Sequence, residues 1–245
     1  MASTFKTLKP DDKVLTRNVL HEAIPITGSI LSGTYGTFIT SETSIKNYSH
    51  GMFQSVYDYP YLSSSANHIF DLTVGISDLT GFKSLVTGST MPATAQYSTK
   101  NNIYAQMAQV LCGHFADGTI RPFDSSGDLT RTEHQAGSTM EDVFFINFAR
   151  LLTKDEIKKG TFELELGTTT AYDTPFTATA KITDTDAASS YKVNSPAGEF
   201  GVLKIADGTG TSVKETKNCG LIFYQAGIAV ITGAVFQDYN SSAPT

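Results

Sequence analysis

The residues of this chain with chemistry to offer are few: five histidines, two cysteines and some acidic turns. The histidines are His21, His50, His68, His114 and His134. No two stand at the i, i+4 spacing that places two imidazoles on one helix face, and neither cysteine stands beside one at zinc-site spacing. The pattern predicts solvated or core-satisfied histidines and no metal ligands. Cys112 lies in an apolar helical pattern and Cys219 opens an apolar strand, so both read as buried small hydrophobes. A single disulfide stays open at this level. Asp117-Gly118-Thr119 and Asp207-Gly208-Thr209 resemble the carboxylate turn of aspartic proteases. Both lie in Ser/Thr/Gly hairpins without the apolar flanks that raise a carboxyl pKa, and the expectation is a turn. Residues 28–33, Gly-Ser-Ile-Leu-Ser-Gly, have the wrong spacing for a nucleophile elbow, and no Gly-Lys-Ser/Thr phosphate loop is present. Asp184 and Asp186 offer hard oxygen ligands, but no glycine and distant glutamate complete a calcium loop. Tyr57, Tyr59 and Tyr61 alternate and share one face of an extended chain. Such a ladder serves a core or an interface, or forms a platform for stacking sugars.

Elements that would position these residues are clearer than the chemistry. Residues 137–167 read as two short helices and a strand. Ser138 with Glu141 and Thr153 with Glu156 fit capping boxes, in which each cap hydroxyl and carboxylate satisfy early backbone N–H groups. Val143, Phe144, Ile146, Phe148, Leu151 and Leu152 give a broad apolar helix face. Lys158 and Lys159 suit the negative end of the second helix, and Gly160 suits the left-handed position that closes it. Phe162, Leu164 and Leu166 then alternate with Glu163 and Glu165, the period of a half-buried strand. A helix is also expected from about Asp11 to His21. Another follows Asn101 or Asn102 with Ile103, Met107, Val110 and Leu111 on one face, and Gly113 ends it. Strands are expected at Phe70–Ile76, within 174–183, before and after the turn at 194–198, and on both sides of Gln225-Ala226-Gly227. The near-continuous apolar character of that last pair suggests central strands covered on both faces. Residues 77–100 read as loop. The stretch 116–137 reads as a long polar loop that a partner would order.

The fold class is therefore α+β and β-rich: antiparallel sheets, sandwich-like in the C-terminal half, with three to four short helices. One structural domain spans 1–245, with an N-terminal arm at 1–13 and a C-terminal tail at 237–245. Hydrophobic residues make up 40% of the 245, enough for a sizeable core. Only 17% are charged and the net charge is −6, with no Lys/Arg run, which disfavours a nucleic-acid-binding face. Residues 1–13 lack the apolar segment of a signal peptide. The apolar run at 220–236 is broken by Gln225 and glycines and is too β-branched for a membrane helix. A soluble protein made in the cytosol is expected.

Five segments stand out as strings: LHEAIPITGSILSGTYG (20–36), HGMFQSVYDYPYLSSSANHIFDLTVGI (50–76), FFINFARLLTKDEIKKGTFELELG (144–167), NSPAGEFG (194–201) and GLIFYQAGIAVI (220–231). Together they resemble a family of virion structural proteins from large contractile-tailed bacteriophages of aquatic bacteria. The resemblance covers nearly the whole chain. It implies function through assembly, with no enzymatic activity and no cofactor. It implies a place in the tail, baseplate or neck, or else a capsid-associated or decoration role. Other virion subunits would be the partners, in homo- and hetero-oligomeric contacts, with no direct nucleic acid, membrane or small molecule. The virion would be the location, after synthesis in the host cytoplasm. Tyr48, Phe53, Tyr57, Tyr59 and Tyr61 are the candidate interface residues. A carbohydrate- or receptor-binding module built on the tyrosine ladder is the reading from a second class, and an enzyme that from a third.

Overall fold

A computed structural model describes residues 45–57, 68–77, 95–130, 138–149, 152, 156–167, 177, 179–209 and 217–236. Ten strands form one antiparallel sheet. In chain order they are β1 (Ile45–Asn47), β2 (Gln54–Tyr57), β3 (His68–Ile76), β4 (Asp142–Asn147), β5 (Glu163–Gly167), β6 (Thr179–Thr183), β7 (Lys192–Ser195), β8 (Gly198–Thr209), β9 (Asn218–Phe223) and β10 (Ile228–Thr232). Across the sheet the order is β1-β2-β3-β4-β10-β9-β8-β6-β5, and β7 pairs with β8 beside that path. Helix α1 (Ala95–Leu111), the short α2 (Ala187–Ser190) and a 3-10 turn (Gly233–Phe236) complete the described elements. The chain is thus β-rich with few helices, two α-helices among the described residues against three to four expected. The C-terminal strands continue the same sheet as β1–β4. The expected helix at 11–21, the arm at 1–13 and the tail at 237–245 lie outside the described residues.

Register assigns every strand to two faces. On one face Phe145 pairs with Val230, Val230 with Leu221, and Phe223 with Phe200. These residues pack with Ile103, Tyr104, Ala108 and Leu111 of α1 and with Phe123, Leu129 and Met140 from the segments that follow it. On the opposite face Leu72 pairs with Ile146, Ile146 with Ala229, and Ala229 with Ile222. Ile205, Ile182 and Leu164 continue that face in β8, β6 and β5. Burial on both sides is why β9 and β10 read as continuous apolar runs, as expected of central strands. The second face is closed by curvature. Phe148 beyond β4 touches Phe70 of β3 and also Phe162, the residue before β5. In a flat sheet β4 and β5 would stand about 24 Å apart, five strand spacings.

Residues 142–147 correct the sequence reading most. They form β4, not a helix. Val143-Phe144-Phe145-Ile146 is apolar at consecutive positions, and a strand buried on both faces accommodates such a run as well as a helix does. Ser138 caps no helix; its hydroxyl donates to Asp124 Oδ2 at 2.6 Å. The second expected helix also fails where it is described. Residues 156–158 have no regular structure, and Glu156 accepts from Lys159 Nζ at 2.7 Å rather than capping a backbone N–H. Gly160 does take a left-handed φ of 75°, at a turn. Helix α1 begins earlier than expected, at Ala95, so 95–100 is helical rather than loop. Val110 is 62% exposed and does not share the buried face of Ile103 and Leu111.

The polar segment after α1 is folded by its own residues, not left for a partner to order, as far as Thr130. Asp117, Asp124 and Asp128 each accept from the backbone N–H of the residue two positions on, Thr119, Ser126 and Thr130. Phe123 is fully buried beneath them. Asp117-Gly118 makes the expected tight turn, with Gly118 at a φ of 86°. Asp207–Thr209 lies at the end of β8 instead of in a hairpin loop. Cys112 and Cys219 are free and buried, in line with the small-hydrophobe reading; burial raises both thiol pKa values, that of Cys219 to about 12.

Candidate interaction site on the first three strands

Two of the expected interface aromatics gather where β1 turns into β2. Tyr48 stacks on His50 with ring centroids 5.2 Å apart, and Phe53 stands 5.0 Å from Tyr48 and 5.1 Å from His50. Gly51 enables the reversal with a φ of 63° and donates its N–H to Tyr48 O at 3.0 Å. Lys46 Nζ lies 5.3 Å over the Tyr48 ring, a cation–π distance. Met52 at the same tip is 45% exposed. Lys100 fastens the turn from α1. Its Nζ donates to Gly51 O and Met52 O, both at 3.3 Å, and its burial lowers its pKa.

Behind the tip lies a buried polar cluster. Asp71 Oδ1 accepts from Ser55 Oγ at 2.6 Å and bonds His68 Nε2 at 2.7 Å. Because the carboxylate accepts, Nε2 carries the proton. Tyr48 OH reaches Ser55 Oγ at 3.1 Å. Since the Ser55 proton goes to Asp71, the phenol is the donor in that pair. A bulge brings these groups to one face. Val56 pairs with Phe70 and Tyr57 with His68, so Ile69 is the extra residue. It reverses the parity of β3 and turns His68 to the side of Asp71.

Serine, histidine and aspartate together invite comparison with a nucleophilic triad. In that device the imidazole lies between the hydroxyl and the carboxylate and takes the hydroxyl proton. Here Asp71 is in the middle and Ser55 is fully buried. A substrate carbonyl has no route to that hydroxyl, and its proton is already committed to the carboxylate. The arrangement ties β1, β2 and β3 together. One atom is left over: His68 Nδ1 is buried without a hydrogen-bond partner.

The other sequence-flagged residues divide plainly. Tyr57 is 7% exposed and sits edge-on to His68 at 5.4 Å, so it supports the cluster from within and presents no ring to a partner. Tyr59 and Tyr61 lie outside the described residues. Asp184 is buried with its oxygens occupied: Gly160 N–H and Phe162 N–H each donate at 2.8 Å, and Tyr224 OH at 3.0 Å. Asp186 pairs with Lys204. His114 sits in an isolated bridge to Ile120. Among the described residues no three His, Cys, Asp or Glu side chains are grouped to hold a metal ion. The sequence reading missed Ser55, Asp71 and Lys100; His68, expected to be solvated or core-satisfied, is buried and bonded to Asp71. Only cross-strand register places Ser55, His68 and Asp71 together, and no local spacing signals it.

Compared with known protein families, curated proteins and solved structures, the chain matches none of them. Among the described residues no helix is long and apolar enough to cross a membrane.

Proposed function

We propose that the chain is a structural subunit of a tailed-bacteriophage particle, placed in the tail, baseplate or neck, and that it acts by packing against neighbouring subunits. The observation that carries this reading is the β1–β2 tip. Tyr48, His50, Phe53 and exposed Met52 form one aromatic-rich projection, held from behind by Lys100 and by the Asp71 cluster. Pre-organised aromatic anchors lose little entropy on docking, and each true hot spot contributes about 2 kcal/mol or more. The resemblance of five segments to phage virion proteins supports the same reading. Mass spectrometry of purified particles tests it: the chain is expected at a fixed, multi-copy stoichiometry. Its absence from particles would overturn the proposal. A capsid-associated or decoration role is the variant within this class. The stacked Tyr48–His50 pair favours one reading from another class, a carbohydrate- or receptor-binding module. That reading predicts glycan-array binding lost in Tyr48→Ala while assembly persists.

A further inference from the structure

Among the described residues the sheet has two unclosed edges, and we propose that they pair with each other between copies: the β5 edge of one copy receives β1 of the next. This rests on the reading of the chain as an assembly subunit. Among the described residues, β5 pairs with β6 alone and β1 with β2 alone. An unpaired edge is a template for another strand unless something blunts it. Of the usual devices β5 carries only outward charge, in exposed Glu163 and Glu165. It has no proline, its register runs without a bulge from Glu163↔Thr183 to Gly167↔Thr179, and its inward side chains are Leu164 and Leu166.

Three occupants compete for that edge, and charge favours β1 over a second β5. Glu163 already pairs with Lys181 of β6 at 2.8 Å, but a second β5 in two-fold antiparallel pairing would bring Glu165 against a glutamate of the other copy, and like charges opposite one another destabilise a ladder. β1 offers the complement. Lys46 is exposed at its centre. The faces also match. Ile45 pairs with Val56, which pairs with Phe70, and Phe70 packs on the same core as Leu164 and Leu166. Lys46 pairs with Ser55 on the opposite face, the side to which Glu163 and Glu165 point. A continuous intermolecular sheet therefore aligns Ile45 with the leucines and Lys46 with the glutamates. Such a head-to-tail contact is heterologous, so it builds rings or open chains rather than two-fold dimers. An unrelated extended peptide is the third occupant, and the test separates it.

Native mass spectrometry and light scattering of the full chain over a concentration series read the outcome. Wild type is expected to form oligomers beyond the dimer. Glu165→Lys, and separately Lys46→Glu, are expected to weaken them by about tenfold, as repulsion replaces attraction across the ladder. The double variant is expected to restore them. Thermal melts confirm that each variant is folded, and Glu165→Gln is the milder substitute if Glu165→Lys is not. A monomer at every concentration, a discrete dimer, or oligomers indifferent to both charges would overturn the pairing. A solution monomer that is nevertheless present in particles would sink this inference alone. A charge-dependent oligomer missing from particles would sink the phage reading alone.

Discussion

Phe148 and Phe162 meet edge-on, with ring centroids 6.0 Å apart and planes at 70°, although β10, β9, β8 and β6 lie between the strands they flank. The contact joins distant parts of the sheet across its second core. Phe148→Ala should cost about 3–5 kcal/mol, and half-buried Phe162 less. Urea unfolding of both single variants and the double should show a coupling of about 0.5–1.5 kcal/mol. Strict additivity would mean that the curl does not depend on this pair.

The turn around Asp184 makes a second prediction. One carboxylate satisfies two backbone donors before β5 and the Tyr224 hydroxyl at the end of β9. Asp184→Ala strands all three, at an expected cost of about 2–4 kcal/mol, whereas Tyr224→Phe should cost about 1–2 kcal/mol. Equal losses in chemical denaturation would show that the tyrosine, not the backbone turn, is what the carboxylate serves.

The strands at 70–76 and 163–167 and the C-terminal hairpin were legible because alternation and turn residues are local signals. The stretch 142–147 was not. Ser138 and Glu141 have capping-box spacing, and a four-residue apolar run fits helix or strand equally; pairing with β3 and β10 decides it, and those partners are remote in sequence. The candidate site divides the same way. The aromatics at 48 and 53 could be named from density of rings alone. Ser55 and Asp71 are cross-strand partners, and His68 joins them through a bulge, so neither composition nor spacing reveals the cluster.

Phe145→Asp is expected to abolish soluble folding. The residue is 1% exposed, with Phe123 5.4 Å away ring to ring. It lies on the α1 face of a strand, not on a helix, and a buried unpaired charge there costs more than a domain of this size can spare. Soluble expression with a cooperative melt would contradict the placement of this core.

Asp142 supplies a pH signature. Burial raises its pKa above the ordinary value. A raised carboxyl favours the folded state most when protonated, so its contribution is full below the unfolded-state pKa and is lost as pH rises through the folded one. Asp142→Asn should therefore melt higher than wild type at pH 7, and the gap should shrink toward pH 4. A gap independent of pH would rule out this carboxyl as its source.

Both thiols should be inert in the native protein. Their raised pKa values leave almost no thiolate near pH 8. A thiol-reactive chromophore is expected to label neither until denaturant is added, and then both. Rapid native labelling would show that one of them opens to solvent.

β10 is the last described strand in the chain, yet it sits between β4 and β9 in the middle of the sheet. On the ribosome, β1 to β4 must therefore wait with an apolar edge uncovered until β5 to β9 and then β10 have been made. Closing that gap requires contacts between distant parts of the sequence, which slows folding and lengthens exposure to aggregation. The later that central strand is made, the longer the open edge of β4 stands exposed.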